Sequence, residues 1–404
     1  MKYKFKAQKA DGSAYEGERE APDKFTLYQG FRNAGESVLF AGLVRERVLF
    51  DWRRLGTVLS RVSYHDKIVF AKNLSAMLEA GLSLSRAFEV LIRQTKKKQL
   101  KKVIGALAES VKQGKQLSEA LSLHPTVFPP IFISMVKAGE ESGSLAKSLS
   151  ALATQMDKMY QLSRKVRGAL FYPAIIVTVM VIVGILMLIF VVPSLTATFK
   201  ELKIDLPLST RIVILVSDLL SQHTVTFLIG LVAFAGATFA ASRTLPGKKA
   251  IDFIFLHVPL LSRLVRETNT ARTAMTFSSL LSAGVSIINA LRITGEVVQN
   301  VYYRAVLERA IVAIEKGNPI AKVFSESEPL YPAFLSEMIS VGEETGKLPE
   351  MLHDVGLFYE SEVEQQTRDL STIIEPILMV IIGVIVGFFA VAMITPTYSL
   401  VNSI

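Results

Sequence analysis

The hydrophobic pattern of the chain changes character along its length. Three stretches, 171–193, 224–241 and 373–395, are apolar and hold no Lys, Arg, Asp or Glu except Glu375 near one edge. Each is close to the ~20 residues a helix needs to cross a hydrocarbon core about 30 Å thick. Elsewhere the apolar positions recur at helix spacing. Ile68, Phe70, Leu74, Met77 and Leu78 are so spaced, and Gly81 stands where such a helix would end. Further helices are predicted over 84–94, over 98–113 (stopped by Gly114) and over 130–141 (stopped near Gly143). Another starts near Leu145 and runs toward the first apolar stretch. Ile212, Val213, Leu215, Val216, Leu219 and Leu220 make one face of a helix that Ser209 or Thr210 can cap. Arg211, Asp218 and His223 argue against a single crossing over 211–241, so an interfacial amphipathic helix is expected there. The first 60 residues read differently. Tyr3–Ala7 and Ala14–Arg19 around Asp11-Gly12 predict a hairpin, followed by a helix over 22–33 and a short strand over 37–41.

This pattern occurs twice, at a constant offset of 203 residues. Ala80-Gly81 returns as Ala283-Gly284, Gly114 as Gly317, Pro129 as Pro332, Pro173 as Pro376 and Pro193 as Pro396. Gly139-Glu140-Glu141-Ser142-Gly143-Ser144-Leu145 returns as Gly342-Glu343-Glu344-Thr345-Gly346-Lys347-Leu348. Chance apolar similarity would not keep glycines and prolines in phase without a gap. The expected fold is an all-α membrane protein: two tandem cytoplasmic helical bundles, three transmembrane helices and a small N-terminal α+β segment. The expected boundaries are 1–60 for that segment and 61–170 for the first bundle. Then come a span at 171–193, an external loop at 194–223, a span at 224–241, the linker and second bundle at 242–372, a span at 373–395 and an external tail at 396–404. The unduplicated middle span returns both bundles to one side of the membrane. That argues against an inverted-repeat transporter, whose halves face opposite ways.

Charge gives the orientation. Residues 1–170 hold 29 Lys and Arg against 16 Asp and Glu, whereas 242–372 hold 13 against 16. Arg164, Lys165 and Arg167 precede the first span, and Arg243, Lys248 and Lys249 follow the second, which reads both flanks as cytoplasmic. Parity then makes the C-terminus external. The opening Met1-Lys2-Tyr3-Lys4-Phe5-Lys6 has no apolar run behind it, so no cleavable signal peptide is expected. One dense basic run, Lys96–Lys102, reads as a solvated helix start, with attraction to an anionic membrane surface as the alternative. It lacks the aromatics or module that nucleic-acid binding would need.

The repeated Gly-Glu-Glu-Ser/Thr-Gly-x-Leu, the Tyr172-Pro173 and Ile374-Glu375-Pro376 entries to the outer spans and the Pro396 exit resemble the GspF/PilC family. These are inner-membrane platform proteins of type II secretion systems and type IV pilus machines. The resemblance implies a scaffold that couples a hexameric cytoplasmic motor ATPase to the extraction of pilins or pseudopilins. Its implied partners are membrane lipid, a second copy of itself, the ATPase, the pilin and other inner-membrane assembly proteins, with no nucleic acid. A small oligomeric transporter or channel is the alternative reading, although the spans offer almost no polar lining.

No enzyme chemistry is expected. The chain has no Cys, and its five His are scattered without metal-ligand spacing, so no catalytic, cofactor or metal residue is named. Gly342–Lys347 resembles a phosphate loop, but the glycine spacing is one short and an acidic pair stands where phosphate would sit. The acidic pairs Glu140-Glu141 and Glu343-Glu344 admit two readings. One is carboxylates near the N-terminus of the following helix; the other is a docking point for basic partner residues or a weak cation site. Glu375 is read as an interfacial carboxylate. Gly81, Gly143, Gly284 and Gly346 are expected to turn the chain, and Pro173, Pro193, Pro376 and Pro396 to mark span ends.

Overall fold

The structure is a computed structural model that describes residues 2–8, 14–20, 31, 37–43, 62–201, 208–259 and 261–401. It divides into two compact units, Met1–Arg61 and Val62–Ile404. The first unit holds three strands, β1 (Lys2–Gln8), β2 (Ala14–Glu20) and β3 (Ser37–Leu43), in the order β2-β1-β3 with both pairs antiparallel. The register sets Lys2, Lys4 and Lys6 opposite Glu20, Glu18 and Glu16. Apart from Phe31, the helix expected over 22–33 lies outside the described residues.

The second unit is helical. Copy 1 comprises α1 (Tyr64–Glu79), α2 (Leu84–Gln94), α3 (Lys98–Lys112), α4 (Leu117–Ser122), α5 (Pro130–Glu141) and α6 (Leu145–Leu186). A five-residue π-helical segment, Met187–Val191, then α7 (Val192–Glu201), α8 (Leu208–Gln222), α9 (Thr224–Ser242) and α10 (Leu245–His257) lead into copy 2. Copy 2 comprises α11 (Leu261–Ser282), α12 (Ile287–Val297), α13 (Val301–Glu315), α14 (Ile320–Ser325), α15 (Ala333–Thr345) and α16 (Leu348–Val401). Adding 203 to the bounds of α2, α3 and α4 gives the bounds of α12, α13 and α14. The sequence repeat is thus a structural repeat, element by element.

The linker expectation is corrected, and the chain stays helical through the prolines at the span ends. Residues 245–257, read as linker, form α10, which Thr244 caps through Gly247 N–H at 3.2 Å. Pro193 and Pro396 do not end helices: the chain stays helical to Glu201 and to Val401. Ahead of Pro193 the wider π turns relieve the i→i−4 pattern that a proline, lacking N–H, cannot complete. Pro173 and Pro376 also lie inside α6 and α16, so neither long helix breaks where its bundle gives way to its apolar stretch. The amphipathic helix α8 packs against the far ends of both long helices. Thr210 and Ser217 donate to the carbonyls of Ala392 (2.5 Å) and Leu188 (2.6 Å), and Val192, Val213, Ala392 and Met393 form a small separate core there.

One continuous hydrophobic core runs through both bundles. In copy 1 it centres on Phe70, Phe128 and Phe132, whose rings lie 4.9–6.1 Å apart. The equivalent positions in copy 2 are Thr273, Tyr331 and Leu335. There Tyr331 and Thr273 share a hydrogen bond of 2.9 Å, and Tyr303 donates to the Leu330 carbonyl at 2.8 Å. Burial raises both phenols above the usual tyrosine range. Copy 2 therefore keeps an aromatic cluster, with Tyr331 4.8 Å from Tyr303 and 4.9 Å from Phe324, and adds buried hydroxyls that are hydrogen-bonded, as a low-dielectric interior demands.

The two copies meet along α11, which lies against both α6 and α16. It is buried almost all round, although Glu267, Thr268, Asn269, Thr270, Thr273, Thr276 and Ser278 are among its buried residues. Asn269 and Thr270 bond back to the Val265 and Arg266 carbonyls, and Ser278 donates to the Pro349 carbonyl at 2.7 Å. Cross-copy contacts are polar: Ser279 Oγ to Gln155 Oε1 (2.9 Å), Arg272 to Ser163 Oγ (3.0 Å) and Lys165 to Glu364 (2.7 Å). Gly356 lets α16 approach: a Cβ there would stand 2.6 Å from Met275 Cγ. Glu267 is the cost of this polar seam. One of its oxygens bonds Arg263 at 2.7 Å and the other is buried without a partner. Burial lifts its pKa, and Arg263 offsets this in part. The folded chain therefore holds this proton more tightly than the unfolded chain, and stability falls as pH rises from 4.5 through the raised value. Glu267→Gln should flatten that dependence and be neutral or stabilising by up to ~1 kcal/mol at pH 7, measured by thermal unfolding of purified protein across pH.

Candidate functional site

The repeated Gly-Glu-Glu motif closes α5 in copy 1 and α15 in copy 2, and each of its residues has a separate task. The first glycine allows two helices to touch. A Cβ on Gly139 would stand 2.6 Å from Ser148 Cβ, and one on Gly342 would stand 2.8 Å from Leu348 Cα. The last glycine reverses the chain, with φ of +67° at Gly143 and +70° at Gly346. In copy 1 this is a Schellman ending, with Ser144 N–H bonded to Gly139 O at 2.8 Å and Gly143 N–H to Glu140 O at 3.2 Å. Gly81 and Gly284 turn the chain in the same left-handed conformation after α1 and α11.

The two glutamates of each pair part company. The Glu140 carboxylate accepts from the backbone N–H of Leu117 and of Ser118, the latter at 3.0 Å. Glu343 accepts from Ile320 N–H at 2.9 Å and Ala321 N–H at 3.0 Å. In both copies the first glutamate caps the N-terminus of a short helix, α4 or α14, whose own N-cap residue (Gln116 or Pro319) makes no side-chain cap. A carboxylate there satisfies two orphan N–H groups and faces the positive end of the helix dipole. This corrects the expectation that the pair serves the following helix: the capped helix precedes the motif by about 23 residues. The second glutamates, Glu141 and Glu344, point outward. Glu141 is 3.8 Å from Lys137, both well exposed, and Glu344 accepts a 3.4 Å bond from Ser340 Oγ.

Two depressions lie beside the repeated motif. Glu343 and Glu344 line one of about 460 Å³ with Glu337, Ser340 and Lys322. Ser142, Ser144 and Lys147 of copy 1 line a groove of about 690 Å³ between the copies, with Ser278, His353 and Asp354 of copy 2. Among the described residues no three His, Asp or Glu side chains gather as metal ligands. Glu375 is exposed on α16, one residue ahead of Pro376.

The reading from sequence missed α4 and α14, and with them the partner of the first glutamates. The available signal was Gly317 followed by Pro319, a turn and a helix-starting proline, which copy 1 lacks.

Comparison with known proteins places this geometry in context. The sequence profile of the family described as Type II secretion system (T2SS), protein F, matches residues 70–193 and again 273–396. Both bounds of the second match lie 203 residues after those of the first. The chain is 33% identical over 404 residues to a type IV pilus assembly protein PilC of Thermus thermophilus, covering 100% of this chain and 98% of the relative. It is 30% identical to a PilC of Myxococcus xanthus, over 99% and 95% of the two chains. A type II secretion system protein F of Aeromonas hydrophila is 28% identical over 93% of this chain and 97% of its own.

The division of labour within each pair gives a stability test. Glu140→Gln and Glu343→Gln should each cost about 1–2 kcal/mol, because each removes a charged double cap. Glu141→Gln and Glu344→Gln should stay within ~0.5 kcal/mol of the parent, as exposed sites do. Thermal or denaturant unfolding of the four purified variants checks the contrast.

Proposed function

We propose, from the premise that the chain belongs to the type II secretion system protein F family, that it is an inner-membrane platform of a type IV pilus or type II secretion machine. On this reading it carries no catalytic chemistry. It couples a hexameric cytoplasmic ATPase to the assembly of pilin or pseudopilin subunits and works as a dimer or higher oligomer. The observation that carries the proposal is the continuity of α6 and α16. Leu145–Thr196 and Leu348–Ile394 are both long and apolar enough to cross a membrane, and each begins inside a bundle. Their apolar parts are lined with exposed large side chains such as Phe190 and Val384, surface that water would disfavour and lipid would cover. We assign α9 as the third span: it is 19 residues without a charge, with Val232 and Phe234 each 71% exposed.

On the same reading, three spans and basic flanks support an N-terminus inside and a C-terminus outside. The absence of cysteine makes the topology accessible to labelling. Ser63→Cys and Ser327→Cys should be shielded from an impermeant thiol reagent in intact cells, and Thr198→Cys and Ser403→Cys should react. Reaction at Ser327→Cys from outside would overturn the topology.

The outward glutamates are the proposed docking points for basic residues of the cytoplasmic motor. The double variant Glu141→Gln with Glu344→Gln should insert and accumulate at parental levels while pilus or secretion output falls at least tenfold, a loss of about 1.4 kcal/mol or more in coupling. Parental output at parental abundance, by immunoblot and a filament or secretion assay, would refute the docking role.

A further inference from the structure

The basic run Arg93–Lys102 forms the corner between α2 and α3, and the packing of the bundle fixes which end of the molecule it occupies. Helix α1 runs antiparallel to α6. At one end Tyr64 stacks on Tyr160 with ring centroids 6.2 Å apart; at the other Glu79 shares a groove with Lys147 and Ser150. The corner sits at the Tyr64 end, because Lys97 Nζ pairs with Asp66 at 2.5 Å. Tyr160 precedes Phe171, the first residue of the apolar stretch, by 11 residues, which is about 16 Å of helix. Helix α3 then leads away from that stretch. Leu117, beyond its far end, is held by Glu140, whose neighbour Gly139 packs on Ser148 near the start of α6.

Copy 2 gives the same placement by a different route. Its equivalent corner is held by Asp252 of α10, whose carboxylate accepts from Val301 N–H at 2.8 Å. Asp252 lies ten residues after Ser242, the end of apolar helix α9. Both corners therefore stand on the side of the bundles nearest the apolar helices. Along its own chain the copy 1 corner is the more basic: copy 2 has Glu296, Gln299 and Asn300 where copy 1 has Arg93, Lys96 and Lys97, although Lys248 and Lys249 of α10 lie beside the copy 2 corner.

The chemistry of the corner asks for an anion. Arg93, Lys96, Lys98, Lys101 and Lys102 are exposed, and none makes an ion pair among the described residues. Three of the lysines lie in the first turns of α3, where positive charge opposes the helix dipole, and the first turn of that helix holds no acidic residue. Side chains on a helix lean toward its N-terminus, so those of Lys98, Lys101 and Lys102 lean toward the apolar end. Arg164 and Arg167, also exposed, lie between Tyr160 and Phe171 and add charge on the same side.

We propose that the α2–α3 corner of copy 1 binds the anionic lipid headgroups of the cytoplasmic leaflet, so that this bundle rests on the membrane. The inference rests on the membrane-spanning reading of α6. A membrane is favoured over an acidic protein because the corner stands one bundle-end from the span, with more positive charge between, and because polybasic juxtamembrane segments are attracted to anionic leaflets.

The test uses the full chain, which has no native cysteine. Gln99→Cys carries a fluorophore, and the protein is placed in nanodiscs of phosphatidylcholine, or of phosphatidylcholine with about one-third phosphatidylglycerol, each with a trace of headgroup quencher. Quenching should be about fivefold stronger in the anionic discs and should fall toward the neutral value as salt rises from ~0.1 to ~0.5 M. Replacing Lys96, Lys98, Lys101 and Lys102 together by Gln should abolish the difference, and replacing them by Arg should keep it. Lys112→Gln with Lys115→Gln removes charge from the far end of α3 and should change nothing. Equal quenching in both discs, or equal loss in the Lys112 and Lys115 control, would overturn the proposal, as would shielding that appears only when an acidic protein is added. A chain that fails to enter nanodiscs at all would instead count against the spanning reading.

Discussion

The second unit is organised by one burial problem. Helix α11 is wedged between the two long helices and has no solvent face of any width, yet much of its surface is hydroxyl, amide or carboxylate. A polar helix can occupy that position only if its groups find partners, and most do, on their own helix, on α6 or on α16. Its counterpart α1 faces the same constraint on one side only and keeps an ordinary amphipathic pattern, with Ile68, Phe70, Ala71 and Leu74 inward. The repeat therefore began from one pattern and is now used in two environments. The copies are joined by a shared hydrophobic core, to which Arg272 and Ser279 of α11 add hydrogen bonds across the seam.

This asymmetry also explains which features could be read ahead of the structure. Helices α2, α3 and α5 follow from apolar spacing and from glycines that must take positive φ, and there sequence and structure agree within about one residue. The 203-residue period was equally open, since glycine and proline identities survive where packing contacts drift. Short helices α4 and α14 were not legible, because six residues do not establish a period and their stability comes from a carboxylate over twenty residues away. The burial of α11 was hidden too. Thr268, Thr270, Thr273 and Thr276 carry hydroxyls that a sequence reading assigns to a surface, yet all four are buried.

The acidic motif shows the same limit at finer scale. Composition suggested that two adjacent carboxylates share a purpose. On a helix, neighbours one residue apart point about 100° apart, so the two carboxylates of a pair at the end of α5 or α15 meet different neighbours. The first carboxylate of each pair is structural and the second is available to something else. A motif repeated intact in both copies thus carries two constraints, one on folding and one on the surface, and sequence alone does not separate them.

The unbroken run of α6 has a mechanical consequence. A helix of 42 residues is a rod about 63 Å long, and it has no joint at the boundary between bundle and apolar stretch. Swinging its base by ~10° would carry its far end sideways by about 11 Å, with little lost to bending, because helices of this kind curve only gently. α16 is the longer rod and has no π turn, whereas α6 meets one at Met187. An extra residue per turn shifts the angular phase of every later side chain by roughly one residue, ~100°. A swing of equal angle would therefore carry the far ends of the two rods by different distances, and beyond Met187 the side chains of copy 1 face a different way from their copy 2 equivalents.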